Sequence, residues 1–148
     1  TQQVSSAASD VYKRQVTWVY NMAKSGRVFT FGDGENLLNP IHGKDLARFC
    51  VEAIDSTETE INVGGPNVFS VNQIAQLAFK SQNKPEKNTH LPDLLRRAAL
   101  VIVSHLPEKW GGPAEFFLTM LGGDNIAPTY GHHRLEDYFR KLSEEDNI

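Results

Sequence analysis

The sequence predicts an α/β chain with few parallel strands and a mostly helical C-terminal region. Two short β-prone runs, Arg27 to Phe31 and Glu60 to Val63, alternate with segments whose apolar residues recur every three or four positions. The runs are too few for a satisfactory sheet, so each is expected to need parallel neighbours supplied from elsewhere. From Pro92 onward, helical spacing dominates.

Val16, Val19, Tyr20 and Ala23 stand three and four apart, the signature of one helix face, and Gly26 ends the pattern. Arg27 to Phe31 then reads as a strand closed by the turn Gly32-Asp33-Gly34. Asn39-Pro40 punctuates the chain before a short extended piece at Ile41-His42. Asp45 precedes Leu46, Phe49, Cys50, Ala53 and Ile54, which form an apolar stripe on a helix whose acidic first turn suits the helix dipole. Glu60 to Val63 alternates and runs into Gly64-Gly65-Pro66, as a strand entering a turn would.

Ser70-x-x-Gln73 is a capping-box pattern ahead of Ile74, Leu77 and Ala78, and predicts a second helix. After the polar stretch Asn83 to Asn88, Thr89 to Leu91 is a brief strand, and Pro92 suits the first turn of a third helix over about Asp93 to Leu106. That helix is apolar on most of its circumference and is expected in the core. Ala114 to Leu121 reads as helical, ended by Gly122-Gly123. A last helix over about His133 to Ser143 places Leu135, Tyr138, Phe139 and Leu142 on one face, ready to dock.

The first residues stand apart. Ser5 to Gln15 (SSAASDVYKRQ) has neither period, and its back-translation resembles a transposon-type sequencing-library adapter. Residues 1–15 are therefore set aside as a non-native segment, and 16–148 is read as the C-terminal part of one truncated domain whose N-terminal half lies upstream. The formal charge is −3 over 148 residues, and the 133 that remain are mildly acidic with mixed signs. That composition offers no basic footprint for nucleic acid. Cys50 is the single cysteine, which excludes a disulfide framework and reads as a small buried residue of its helix. The apolar run Ala98 to Val103 falls far short of the ~20 residues of a transmembrane helix.

"GRVFTFGDGENLLNPIHGKDLARFCVEAI" and, further on, "EINVGGPNVFSVNQIAQLAF" together resemble the C-terminal half of atypical and extended short-chain dehydrogenases, in particular their NmrA-like NAD(P)-binding branch. The elements that carry the likeness are Gly32-Asp33-Gly34, Pro40-Ile41-His42, Asp45-Leu46-Ala47, and Val63-Gly64-Gly65-Pro66 with Ser70, in this order. The resemblance implies a Rossmann-like fold, with NAD or NADP as cofactor of a full-length parent. It also implies a glycine-rich strand-turn-helix for the pyrophosphate and, in active members, a Tyr-x-x-x-Lys pair for proton transfer. Both are expected upstream of Val16. Gly32-x-Gly34 is followed by Leu37 where a third glycine would stand, and no tyrosine followed four residues later by lysine is expected among Tyr20, Tyr130 and Tyr138.

Three residues are candidates for a substrate-side site: Asn39, Pro40 and His42, in the loop where an open α/β sheet binds ligands. His42 could give a hydrogen bond or a proton to a substrate carbonyl, or could satisfy backbone groups of the loop. Asp45 is expected to cap its helix. His132-His133 invites a metal reading, but no acidic residue or cysteine at a ligand spacing completes the set, so no metal is assigned. Gly64-Gly65-Pro66 is read as a turn needing positive φ rather than a phosphate cradle. Trp110, Phe116 and Phe117 are read as core rather than pocket.

The sequence thus points to the substrate-side lobe of an NAD(P)-dependent reductase, dehydrogenase or epimerase-like parent that acts on a small molecule, the present chain itself being expected inactive and without bound cofactor. The alternative is a non-catalytic NAD(P)-binding regulator or complex-assembly subunit with a protein partner, and a third reading makes Pro92 to Leu121 a helical interaction module. The compartment stays open: cytoplasmic is the default expectation, organellar the other.

Overall fold

The computed structural model describes residues 16–58, 60–107, 111–112, 114–115, 118–119 and 121–147. The segment set aside as non-native and the aromatics Trp110, Phe116 and Phe117 lie outside the described residues. A helix, α1, runs through residues 16–24, and Gly26 leaves it at φ +96°, a conformation that glycine reaches without steric cost. Strand β1 is Val28–Phe31 and β2 is Leu37–Leu38. Helix α2 is Gly43–Glu52, extended by a 3₁₀ turn at Ala53–Asp55. Strand β3, Phe69–Ser70, leads directly into α3, Val71–Ser81. Strand β4 is Asn88–Leu91, α4 is Asp93–Ser104, and the last helix, α5, is Leu135–Asp146.

β1 and β4 pair in parallel, Val28 opposite Asn88 through Phe31 opposite Leu91, with α3 in the connection between them. The Arg27 to Phe31 run therefore finds its parallel neighbour inside the chain rather than outside it. β2 and β3 form a two-residue antiparallel ladder. Glu60 to Val63 is not a strand: the segment is irregular, and only Gly64 makes a bridge, to Thr129. Four alternating residues cannot act as a strand where no ladder partner lies beside them. The strand pairing falls at Leu37–Leu38, and His42, extended at φ −71° and ψ 139°, serves as the N-cap of α2.

One core holds these elements together. Tyr20 and Ala23 of α1, Val28 of β1, Ile74, Ala75, Ala78 and Phe79 of α3, and Leu135 and Phe139 of α5 are all buried together. The alanines let the helices approach, while Phe79 and Phe139 fill the space so left. The capping box forms as read: the Ser70 hydroxyl accepts from Gln73 N–H at 3.2 Å, and Gln73 Oε1 accepts from Ser70 N–H at 2.8 Å. α5 docks through Leu135 and Phe139, with Tyr138 and Leu142 partly covered.

α4 departs from the expectation of a core helix. Leu94, Leu95, Val101 and Ile102 are exposed, and the buried residue of the helix is Arg96, whose guanidinium bonds Asp93 at 2.6 Å and the Leu118 carbonyl at 3.1 Å. The stripe of α2 is likewise only half covered at Leu46, Phe49 and Cys50, and Ile54 is exposed. Among the described residues no helix is long and apolar enough to cross a membrane.

Candidate functional site

The segment from Leu121 to His133 is laid along the loop that joins β2 to α2. Asn36 Nδ2 donates to the Leu121 carbonyl at 2.8 Å, Leu37 N–H donates to Asp124 Oδ1 at 2.8 Å, and Asn125 N–H donates to the Leu37 carbonyl at 2.7 Å. Asn39 continues the seam: its amide donates to the Ala127 carbonyl at 2.7 Å and accepts from Ala127 N–H at 3.0 Å, as a backbone group in a ladder would. It also donates to the Gly65 carbonyl at 3.3 Å. Asn39 is thus a buried stitch between three segments, and it does not line the cavity described below.

Gly64 and Gly65 are explained by this close approach. Neither has a positive φ, contrary to the turn read from the sequence. A Cβ on Gly64 would overlap the Asn39 amide, and one on Gly65 would overlap the Pro40 carbonyl. The pair therefore serves packing, not a reversed turn.

The seam delivers His132 and His133 onto Asp45. Gly131, at φ +87°, turns the chain over the carboxylate so closely that a Cβ there would collide with it. Asp45 is fully buried. Its Oδ2 accepts from His132 N–H at 3.0 Å and His133 N–H at 2.9 Å, and its Oδ1 faces His133 Nδ1 at 2.8 Å. Burial alone would raise this carboxyl; the backbone and ring N–H groups of His133 and the backbone N–H of His132 outweigh it and hold the pKa down to about 2. With Asp45 ionised, the hydrogen at 2.8 Å belongs to His133 Nδ1, which leaves Nε2 as the acceptor of the neutral ring.

Asp45 is therefore not the cap of α2. That role falls to His42, whose Nδ1 accepts from Lys44 N–H at 3.2 Å and so places the proton of the neutral ring on Nε2. His42 stacks on His133 with centroids 4.4 Å apart, and His133 stacks on His132 at 4.5 Å, so three imidazoles form one pile beside the carboxylate. The argument that nothing completes a set with His132 and His133 does not hold in space. Asp45 lies 87 positions away in sequence, and the three donor atoms fall within 4.8 Å of one another.

Beside this pile opens a cavity of about 520 Å³, bounded by Pro40, Ile41 and His42 on one side and His133, Tyr138 and Leu142 on the other. Two of the three sequence candidates, Pro40 and His42, thus line a shared concavity. His133 joins them, and sequence spacing gave no sign of it. The Tyr138 hydroxyl is 2.9 Å from Thr17 Oγ1, which fixes that wall.

A Tyr-x-x-x-Lys spacing does occur in the chain, at Tyr20 and Lys24, where the expectation had placed the pair wholly upstream. Reading the i,i+4 positions of α1 finds it. Its geometry is structural: Tyr20 is buried, its hydroxyl donates to Asp146 Oδ2 at 3.0 Å, and Lys24 Nζ is 2.8 Å from Asp146 Oδ1. Burial and the neighbouring Asp146 carboxylate raise the Tyr20 pKa, the reverse of what a proton-transfer tyrosine needs. The pair locks α1 to the end of α5.

No glycine-rich turn from a strand into a helix occurs among the described residues. Gly32-x-Gly34 leads into β2 instead of a helix, and β4 meets α4 through Pro92 without a glycine. The N-termini of α2 and α3 already have their own side-chain caps.

No family model matches the sequence, and no curated protein matches it. Among solved structures, the chain is similar to a GDP-6-OMe-4-keto-L-xylo-heptose reductase from Campylobacter jejuni, with a TM-score of 0.50 and 12% identity over 95% of this chain and 44% of that one. A GDP-mannoheptose C4 reductase from Campylobacter jejuni, with NADP bound, aligns at a TM-score of 0.46 and 14% identity, over 96% of this chain and 44% of that one. The chain spans less than half the length of either reductase. What the first likeness shows is the fold: an α/β arrangement shared with part of a reductase.

Proposed function

We propose that this chain is the substrate-side part of an atypical, NmrA-like member of the short-chain dehydrogenases, an NAD(P)-binding oxidoreductase-like protein whose dinucleotide turn is contributed by sequence upstream of Val16. The observation that carries the reading is the placement of the cavity. It lies at the loop from β2 into α2, where Pro40 and His42 stand. The fold likeness to part of a reductase supports it.

In this reading a small carbonyl or hydroxyl compound sits in the cavity, with His42 on the wall beside it. The apolar wall of Ile41 and Leu142 excludes water around it. The dinucleotide would supply the hydride chemistry from the upstream half, and the present residues bind and orient.

A non-catalytic NAD(P)-binding regulator or complex-assembly subunit is the second reading. Oxidation of NADPH by the protein joined to its upstream sequence, followed at 340 nm over a panel of carbonyl compounds, separates the two. Turnover that falls on His42→Ala supports the first; cofactor binding without turnover supports the second. The present chain alone is expected to show no micromolar NAD(P)H affinity by fluorescence titration, and such affinity would overturn the placement of the dinucleotide site upstream.

A further inference from the structure

We propose that Asp45, His132 and His133 form a binding site for a divalent transition-metal ion of the zinc class. Two histidines and one carboxylate are a donor set that suits zinc, cobalt or nickel better than magnesium or calcium, which prefer oxygen alone. Three features of the structure carry the assignment beyond mere proximity.

The first is distance. Donor atoms around a tetrahedral ion with bonds of about 2.1 Å lie about 3.4 Å apart. Asp45 Oδ1 is 2.8 Å from His133 Nδ1 and 3.8 Å from His132 Nδ1. The first separation must widen by about half an ångström and the second narrow by a few tenths to reach that spacing, and the stacked His132 and His133 rings must turn so that their nitrogens, which lie with Asp45 Oδ1 within 4.8 Å of one another, converge on the ion.

The second is the orientation of the carboxylate. Its Oδ2 is pinned by the two backbone N–H groups of His132 and His133, so Oδ1 is the oxygen turned toward both rings. Outer hydrogen bonds of this kind fix a ligating carboxylate before the ion arrives. The same two residues donate the backbone bonds and the ring nitrogens, so the loop that orients the oxygen also brings its partners.

The third is charge and access. Asp45 is a fully buried anion, while the side chain of His132 is 63% exposed, so an ion can enter from solvent and neutralise a charge that is otherwise balanced by N–H groups alone. When the ion binds His133 Nδ1, the proton there moves to Nε2 through solvent and the ring stays neutral, so atoms and charge balance with no further reactant. Water completes the remaining coordination positions.

The test uses the chain without a polyhistidine tag, titrated with cobalt(II) at neutral pH and followed by its visible d–d bands, then displaced by zinc(II). One equivalent is expected, with a micromolar or tighter Kd and bands of four- or five-coordinate intensity. His132→Ala, on an exposed side chain, is expected to weaken binding at least tenfold without loss of fold by circular dichroism. His133→Ala is expected to do the same, and His105→Ala, on an exposed residue at the end of α4, to change nothing. The proposal is overturned by no saturable cobalt binding below 100-fold excess, or by equal affinity in wild type, His132→Ala and His133→Ala. Should Asp45→Asn fold, it is expected to lose the bands; if it fails to fold, the two histidine variants still decide.

Discussion

α5 and α4 are helices of equal length, twelve residues each, and α4 is the more apolar, yet α5 buries its apolar face and α4 leaves most of its own exposed. α5 buries Leu135 and Phe139 against Tyr20, Ala75 and Phe79, while α4 leaves Leu94, Leu95, Val101 and Ile102 exposed and buries Arg96 instead. The difference lies in what faces each helix. α3 offers α5 a surface of small residues, Ala75 and Ala78, into which a large ring fits, and the Tyr20–Asp146–Lys24 bonds hold its far end. Apolar content sets how much a helix can gain by burial; a complementary neighbour decides whether it gains it.

The comparison breaks most readily at Phe139. Phe139→Ala leaves a void among Tyr20, Ala75 and Phe79 and is expected to cost about 3–5 kcal/mol in urea unfolding, against a small change for any exposed apolar residue of α4. A loss under about 1 kcal/mol would mean that α5 is not held by this ring. Asp45→Ala comes next, at roughly 2–3 kcal/mol, because three N–H donors built around the carboxylate lose their acceptor. Amide exchange at His132 and His133 would show whether the loss is local, as the seam predicts.

These two residues also mark what the sequence could and could not disclose. The α5 stripe and the Ser70–Gln73 box were legible because helical spacing and caps are local, written within a few positions of one another. The β1–β4 ladder, the role of Asn39 and the Asp45–His132–His133 cluster were not, since each joins residues roughly 60 to 90 positions apart. Pro40 and His42 line the cavity, and His133 reaches it through a seam of side-chain and backbone bonds that no spacing encodes. The exposed face of α4 was misread for a related reason: apolar periodicity reports a face, not its partner.

Tyr20→Phe sharpens the α5 side of the comparison at smaller amplitude. It removes the bond to Asp146 but keeps the ring in the core, so about 1 kcal/mol is expected. The pH dependence carries the sign. Burial and Asp146 raise the Tyr20 pKa in the folded state above its ordinary 10, so the unfolded chain ionises first. The stabilisation is whole below pH 10 and is lost as pH rises through the folded-state value. Urea midpoints of the wild type are expected to fall toward those of Tyr20→Phe between pH 9 and pH 11, and parallel curves would remove the bond from the account.

Ile102→Ala on α4 is the smallest effect and the most discriminating. Ile102 is 65% exposed, so truncation removes little buried area, and alanine's higher helix propensity offsets part of that loss. A change within about 0.5 kcal/mol is expected, independent of protein concentration. A larger cost that grows with concentration would show that a second surface covers α4 in solution, because only association makes stability depend on the amount of protein present. In that event α4 and α5 would obey one rule, both buried by a complementary neighbour, and the contrast between them would lie in whose surface supplies it.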